Sequence, residues 1–154
     1  MDDMLRELYQ EVILDHGKNP RNFRHPADAT CEAEGNNPLC GDRLTVYVKV
    51  GNNQRIEDVA FEGRGCAISM ASASMMTDIA CGKSISQVQN LFDLFHKLCT
   101  GEEEGMVSDE FADDIEKLQV MSGVRQFPMR VKCATLAWHA VHAAVSGEND
   151  ASTE

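Results

Sequence analysis

An alternation of apolar residues between positions 43 and 62 constrains the fold of this 154-residue chain more than any other feature. Every second residue from 44 to 50 is Leu or Val, which predicts a strand with one buried face. A Gly-Asn-Asn turn at 51–53 follows, and residues 56–62 alternate again. The two runs predict an antiparallel hairpin whose apolar face the rest of the chain must cover.

Apolar residues at helical spacing supply that cover. Helices are predicted over residues 4–16, 67–80, 84–98 and 108–119, and from residue 128 onward. Strands early and helices late indicate an α+β fold, with a small antiparallel β-sheet and helices packed on one face. We expect one domain over residues 1–147, followed by a flexible acidic tail over 148–154.

Charge and hydropathy exclude several classes of function. The 25 acidic residues outnumber the 14 basic ones, and a net charge of -11 disfavours binding to nucleic acid or to an anionic membrane. No apolar run approaches the roughly 18 residues of a membrane span, and the first ten residues do not resemble a secretory signal. We therefore expect a cytoplasmic protein whose six cysteines stay reduced and serve metal binding or sulfur chemistry.

Three cysteines lie at predicted element boundaries. Cys40 precedes the first strand of the hairpin, Cys66 opens the helix that follows it, and Cys133 lies near the start of the last helix. Unpaired N–H groups at a helix N-terminus favour the thiolate form of a nearby cysteine. Glycines at 41, 63 and 65 allow the tight turns that would aim these side chains at one point.

Together with Asp42, these cysteines form a set of four ligands suited to tetrahedral zinc, namely Cys40, Asp42, Cys66 and Cys133. Arg130 and Lys132 lie beside the last ligand, where cations would keep the thiolates ionised. Asp42 is expected to be the most exchangeable ligand, because a carboxylate binds zinc less strongly than a thiolate.

Burial is the competing explanation for any free cysteine. The other three, Cys31, Cys81 and Cys99, are interpreted as structural. For the three boundary cysteines the long spacing, with no C-x-x-C pair, leaves burial and metal binding both open. His139 and His142 fall on other sides of the last helix than Cys133, so they are not candidate ligands.

Local motifs resolve this choice by resemblance. Residues 37–42 (NPLCGD), 61–69 (FEGRGCAIS) and 130–138 (RVKCATLAW), with residues 8–22 before them, resemble the SufU and IscU family of iron–sulfur cluster assembly proteins. The resemblance extends over about residues 4–147. It implies the SufE/NifU-like fold of IscU.

Two markers favour the SufU branch of that family. Lys132 stands where the IscU branch has histidine, and residues 101–124 resemble the insert of SufU proteins. The resemblance then implies a zinc-bound sulfurtransferase that takes persulfide sulfur from a SufS-type cysteine desulfurase. Sulfur would pass on to downstream cluster-assembly proteins, and no independent turnover is expected.

The resemblance also implies the roles of the site residues. Cys40 is the expected sulfur acceptor, freed when the partner supplies a replacement zinc ligand, while Asp42, Cys66 and Cys133 keep the metal. Arg130 is our hypothesis for a catalytic cation near the transferring sulfur. The main alternative is an IscU-like scaffold that carries iron or a [2Fe–2S] cluster on the same cysteines, and a structural zinc module is a third interpretation.

Overall fold

The computed structural model describes residues 3–102, 109–148 and 150–152 of the chain. Its helices are α1 (Asp3–Lys18), α2 (Ala67–Ala80), α3 (Ile85–Thr100), α4 (Asp109–Leu118) and α5 (Pro128–Val145). Its strands are β1 (Cys31–Asn37), β2 (Asp42–Val50), β3 (Ile56–Arg64) and β4 (Asp150–Ser152). Two 3₁₀ segments occupy Asn52–Gln54 and Gln119–Gln126. In these described ranges, no helix has both the length and the apolarity needed to cross a bilayer.

The predicted hairpin is confirmed as β2 and β3. Their antiparallel register places Val46 opposite Phe61 and Val48 opposite Val59. All four side chains are buried in the core, together with Leu44. The alternation seen in the sequence thus forms the face of the sheet on which the helices pack.

The sheet is larger than the sequence predicts. Its strand order is β3-β2-β1-β4, with β1 antiparallel to β2 and β4 parallel to β1. The predicted α+β fold is confirmed, and its sheet is mixed where the sequence indicated antiparallel strands. Residues 150–152, within the segment expected to be a flexible tail, pair with Glu34, Gly35 and Asn36.

β1 escaped prediction because its sequence, CEAEGNN, is poor in the β-branched and aromatic residues that favour strands. Tertiary contacts stabilise it instead. A Cβ atom on Gly35 would lie 3.2 Å from Leu136 Cδ1 and 3.3 Å from Ala140 Cβ, so α5 approaches the strand closely there. The ladder with β2 and this packing together outweigh the low intrinsic propensity.

Helices α2 and α5 cover the sheet, and both are rich in alanine and lack a polar face. α2 contacts α1, α5 and β3, whereas α5 contacts β1, β2, α2 and α3. A helix surrounded on several sides has no solvent face to keep polar, which explains their composition. The largest fully buried side chains of this core include Trp138, Phe61 and Phe95.

The predicted helix ends are largely confirmed. Ser84 and Gln87 form a reciprocal capping box at the start of α3, and Pro128 is the first residue of α5. α4 buries Phe111, Ile115 and Leu118, the stripe predicted for the helix over 108–119. The predicted cap at 108 and most of the acidic loop, residues 103–105, lie outside the described residues.

Three histidines surround Phe92 where α3 meets α5. The Phe92 ring centroid lies 4.9 Å from that of His139 and 5.1 Å from that of His142, and His96 lies 6.2 Å from both Phe92 and His139. Burial lowers the pKa of His139, and the neighbouring His96 and His142 lower it further. His139 is thus a packing residue that the folded protein keeps neutral.

Acid should therefore destabilise the protein through His139. Below about pH 6.5 the unfolded chain binds a proton that the folded state disfavours, so the free energy of unfolding falls as the pH falls. In urea unfolding at pH 7.5 and 5.5, His139→Gln should show a smaller loss of stability than wild type. His25→Gln is the control, because that side chain is 59% exposed. An unchanged pH dependence in His139→Gln would contradict the assignment.

Gly63 shows how closely β3 approaches β2 near the end of the hairpin. Its φ of +140° is a conformation that side chains disfavour, and a Cβ atom there would overlap the carbonyl oxygen of Arg43. The Leu44 Cα atom lies 2.8 Å from the same position. Only glycine fits this point without moving the neighbouring strand.

Gly63→Ala should lower the free energy of unfolding by about 2 kcal/mol or more, from backbone strain and overpacking together. The matched control is Gly123→Ala, since a Cβ atom on Gly123 meets nothing within 4 Å. Thermal and urea unfolding measure both variants. Equal stability of the two would show that the strands separate easily at this position.

Candidate metal centre

The turn between β1 and β2 presents the first two site residues. The backbone carbonyl of Asn37 accepts hydrogen bonds from the N–H groups of Cys40 (3.2 Å) and Gly41 (2.9 Å). Gly41 has a φ of +73°, which glycine adopts without strain. This turn leaves Cys40 exposed and begins β2 with Asp42, whose side chain is buried.

Cys66 caps the N-terminus of α2, as the sequence predicted. Its backbone N–H donates to Asp42 Oδ1 at 2.9 Å, and its Sγ lies 3.9 Å from Asp42 Oδ2. A Cβ atom on Gly65 would lie 2.9 Å from Asp42 Oδ1 and overlap the hydroxyl of Ser69. Glycine at 65 therefore permits the close approach of the carboxylate to the helix.

Cys133 reaches the same point from the second turn of α5. Its side chain is buried, and its Sγ lies 3.7 Å from Cys40 Sγ. The side-chain amide of Asn37 donates to the same sulfur at 3.9 Å. Residues 93 positions apart in the chain thus place two sulfur atoms in contact.

These donor atoms fit a small metal ion. Ligand atoms of Cys40, Asp42 and Cys133 all lie within 4.8 Å of one another, and Cys66 lies at the edge of this group, in contact with Asp42. A tetrahedral zinc with its usual bond lengths separates its sulfur and oxygen donors by about 3.5–3.8 Å. The observed 3.7 Å and 3.9 Å separations are close to that spacing.

Without a cation, burial and these neighbours disfavour the ionised form of Cys133. The pKa of the Cys133 thiol is raised well above its usual range, first by burial and then by the neighbouring Asp42, Cys66 and Cys40. A bound divalent cation would reverse this effect, because it stabilises the thiolates that it ligates. The chemistry of the donor set is therefore that of a cation site.

Arg130 and Lys132 are neighbours of Cys133 in the sequence, and their effect on the thiolates of a metal-bound site stays a prediction. The Arg130 guanidinium lies over the ring of Phe127, 4.6 Å from its centroid. Burial and the neighbouring Asp42, Cys66 and Cys40 are the largest causes of the raised pKa of Cys133, and neither cation is among them.

The remaining cysteines have different environments. Cys99 is buried, which raises its pKa to about 12, and Cys31 is half-buried, with a pKa raised for the same reason. Cys81 is exposed, so the structural interpretation by burial does not hold for it. Within the described residues, the candidate metal group includes neither these cysteines nor any histidine.

Sequence reasoning missed two polar residues that contact the site. Asn37 reaches Cys133, and the buried Ser69 hydroxyl lies 3.8 Å from Cys66 Sγ. An asparagine before Pro38 is typical of a turn, and a serine inside an Ala-rich helix carries no chemical signature. Only the tertiary structure reveals that both side chains approach sulfur.

Comparison with known proteins identifies relatives of the chain over nearly its full length. The NifU-like N terminal domain family matches residues 8–115. The chain is 44% identical over 146 residues to the zinc-dependent sulfurtransferase SufU of Bacillus subtilis, covering 94% of this chain and 93% of that protein. It is 39% identical over 141 residues to the iron–sulfur cluster assembly scaffold protein IscU of Streptococcus pyogenes, covering 92% and 84%.

A solved structure shares the fold. The crystal structure of a scaffold protein for the SUF system from Fervidobacterium islandicum superposes with a TM-score of 0.78 at 31% identity, covering 91% of this chain and 98% of that one. The family match and the near full-length relatives agree on one assignment. The chain therefore belongs to the NifU-like N terminal domain family, within its IscU and SufU group of iron–sulfur cluster assembly proteins.

Proposed function

We propose that this protein is a zinc-dependent sulfur acceptor that takes persulfide sulfur from a SufS-type cysteine desulfurase for iron–sulfur cluster assembly. One observation carries the proposal. The exposed thiol of Cys40 lies 3.7 Å from the buried thiol of Cys133 and within 4.8 Å of the buried carboxylate of Asp42, in a group that fits zinc. Cys66 is exposed as well, but it begins α2 and its backbone N–H is bound by Asp42, whereas Cys40 lies in a turn. An accessible sulfur on a turn suits a protein that must hold a metal and also react with a partner.

The residues proposed to hold zinc are Cys40, Asp42, Cys66 and Cys133. Zinc has no redox chemistry, and when bound it supplies positive charge that keeps the thiolates ionised at neutral pH. Asp42 and Cys133 are buried and lie on β2 and α5, so the sheet and helix positions fix them. Cys40 lies in the turn and faces solvent.

The proposed reaction is a transfer of sulfane sulfur. The Cys40 thiolate attacks the outer sulfur of the partner's cysteine persulfide, forming a new S–S bond as the persulfide S–S bond breaks. The partner's cysteine leaves as a thiolate and takes a proton from solvent, and Cys40 carries the persulfide. No electrons are gained or lost overall, so the step needs no external oxidant or reductant.

The proposal also defines the partners and compartment. A desulfurase supplies the persulfide, and downstream cluster-assembly proteins receive the sulfur. Cytoplasmic thiol pools would keep Cys40 reduced between transfers. The protein thus completes a relay with the desulfurase and has no turnover of its own.

A scaffold function is the second candidate, favoured by the match to the IscU protein of Streptococcus pyogenes. In that function the same cysteines would hold iron or a [2Fe–2S] cluster. Lys132, directly before Cys133, disfavours it, because an ammonium group cannot replace a histidine ligand at that position. Metal content separates the two candidates.

The first test measures metal and sulfur transfer together. The purified protein should contain about one zinc per chain and accept labelled sulfur from a cysteine desulfurase. Cys40→Ser should lose sulfur acceptance, since a hydroxyl does not form a persulfide. The exposed Cys81 provides the matched control, because Cys81→Ser should accept sulfur normally.

Two results would contradict this proposal. Bound iron with acid-labile sulfide in the anaerobically purified protein would favour the scaffold. Normal sulfur acceptance by Cys40→Ser would assign the acceptor to another cysteine.

Arg130 is proposed to stabilise the charge of the transferring sulfur, because it lies on the exposed start of α5, three residues before Cys133. Arg130→Ala should lower the transfer rate on the order of tenfold. This is less than the loss expected for a buried donor, because Arg130 is exposed to solvent. Arg130→Lys should keep more of the rate, since it keeps the charge. Unchanged sulfur transfer and desulfurase activation in Arg130→Ala, measured beside Lys132→Ala, would exclude the role.

A further inference from the structure

Asn37, the last residue of β1, contacts two separate parts of the metal centre, the turn that holds Cys40 and the helix that holds Cys133. Its backbone carbonyl holds the turn that presents Cys40, and its side chain reaches Cys133 on α5. It also pairs with Asp42 in the ladder of β1 and β2. One residue therefore contacts the backbone or side chain of three of the four proposed ligands.

The side chain of Asn37 is fully buried, yet its amide has one hydrogen-bond partner among the described residues. The Nδ2 amide donates to Cys133 Sγ, whereas Oδ1 has no hydrogen-bond partner among the described residues. A buried unpaired acceptor destabilises the fold, and an apolar side chain at this position would remove that penalty. The amide is therefore explained by its donor contact with sulfur rather than by stability.

The two thiols in contact are unequal. Cys133 is buried, and its sulfur accepts a hydrogen bond from the side-chain amide of Asn37. Cys40 is exposed on its turn. An N–H donor stabilises a thiolate and orients it toward a metal, and the loss of such supporting contacts weakens metal binding. The amide thus distinguishes one sulfur from the other.

We propose that Asn37 is a positioning residue that secures Cys133 in the metal centre and so leaves Cys40 as the sulfur that exchanges and reacts. The inference rests on the proposed zinc-dependent function and explains how the acceptor is chosen. Cys66 is exposed like Cys40, but it begins α2 and its backbone N–H is bound by Asp42, whereas Cys40 lies in a turn. The hydrogen bond from Asn37 therefore adds to burial in making Cys133 the ligand that stays.

The test compares Asn37→Leu, which keeps the branched shape and the number of side-chain heavy atoms but has no donor, with Asn37→Ala and wild type. Zinc affinity, measured by chelator competition, should fall about 10- to 100-fold in both variants. Asn36→Ala is the matched control, because Asn36 is the adjacent asparagine of β1 and pairs with Arg43 away from the sulfur atoms. Its affinity should equal that of wild type.

Selective alkylation gives a second readout. With zinc bound and iodoacetamide limiting, mass spectrometry of wild type should find Cys40 modified well before Cys133. In the Asn37 variants the share of modified Cys133 should rise severalfold. Unchanged zinc affinity and an unchanged order of alkylation in Asn37→Leu would overturn the inference.

Wild type also allows a direct measurement, which serves if the variants do not fold. In ¹⁵N-labelled protein loaded with ¹¹³Cd, a hydrogen bond to a ligating sulfur transmits scalar coupling between the Asn37 amide protons and the metal. Detection of this coupling supports the inference, and its absence overturns it.

If wild type binds zinc and accepts sulfur while these tests fail, only the role of Asn37 is lost. A wild type without zinc overturns the proposed function as well.

Discussion

The carboxylate of Asp42 joins the sheet to the helix layer, because its Oδ1 accepts the backbone N–H of Cys66 at the start of α2. The contact satisfies one of the N–H groups that a helix N-terminus leaves unpaired, and it fixes where α2 begins relative to β2. Other features of the site depend on it. Gly65 leaves room for the carboxylate, Gly63 brings β3 close to β2, and Gly41 directs Cys40 toward the same point.

The site concentrates negative charge where the fold is already buried. Asp42 and Cys133 are almost fully shielded from water, and the raised pKa of Cys133 expresses the cost of ionising it there. Positive charge from a metal is therefore linked to stability, because a cation that binds only the folded arrangement favours that arrangement. Cys40 and Cys66 are both exposed, but Cys40 lies in a turn and Cys66 begins α2, so Cys40 can move from the group with less effect on the core.

Much of this structure follows from local patterns in the sequence. The hairpin, the helix starts at Ser84 and Pro128, and the placement of Cys66 at a helix N-cap are all read from spacing and capping residues. β1 was missed because its stability comes from pairing with β2 and from packing against α5, neither of which its own residues encode. The raised pKa of Cys133 depends on burial and on neighbours in space, which its adjacent residues in the sequence do not show. Asn37 could be found only from the structure.

The parallel pairing of β4 with β1 has a consequence for how the molecule meets other chains. A strand at the edge of a sheet offers unpaired N–H and C=O groups to any extended segment in solution. Residues 150–152 occupy that edge along Glu34, Gly35 and Asn36, immediately before the turn that carries Cys40. These residues thus protect the sheet from edge-to-edge association on the side where the exposed Cys40 lies.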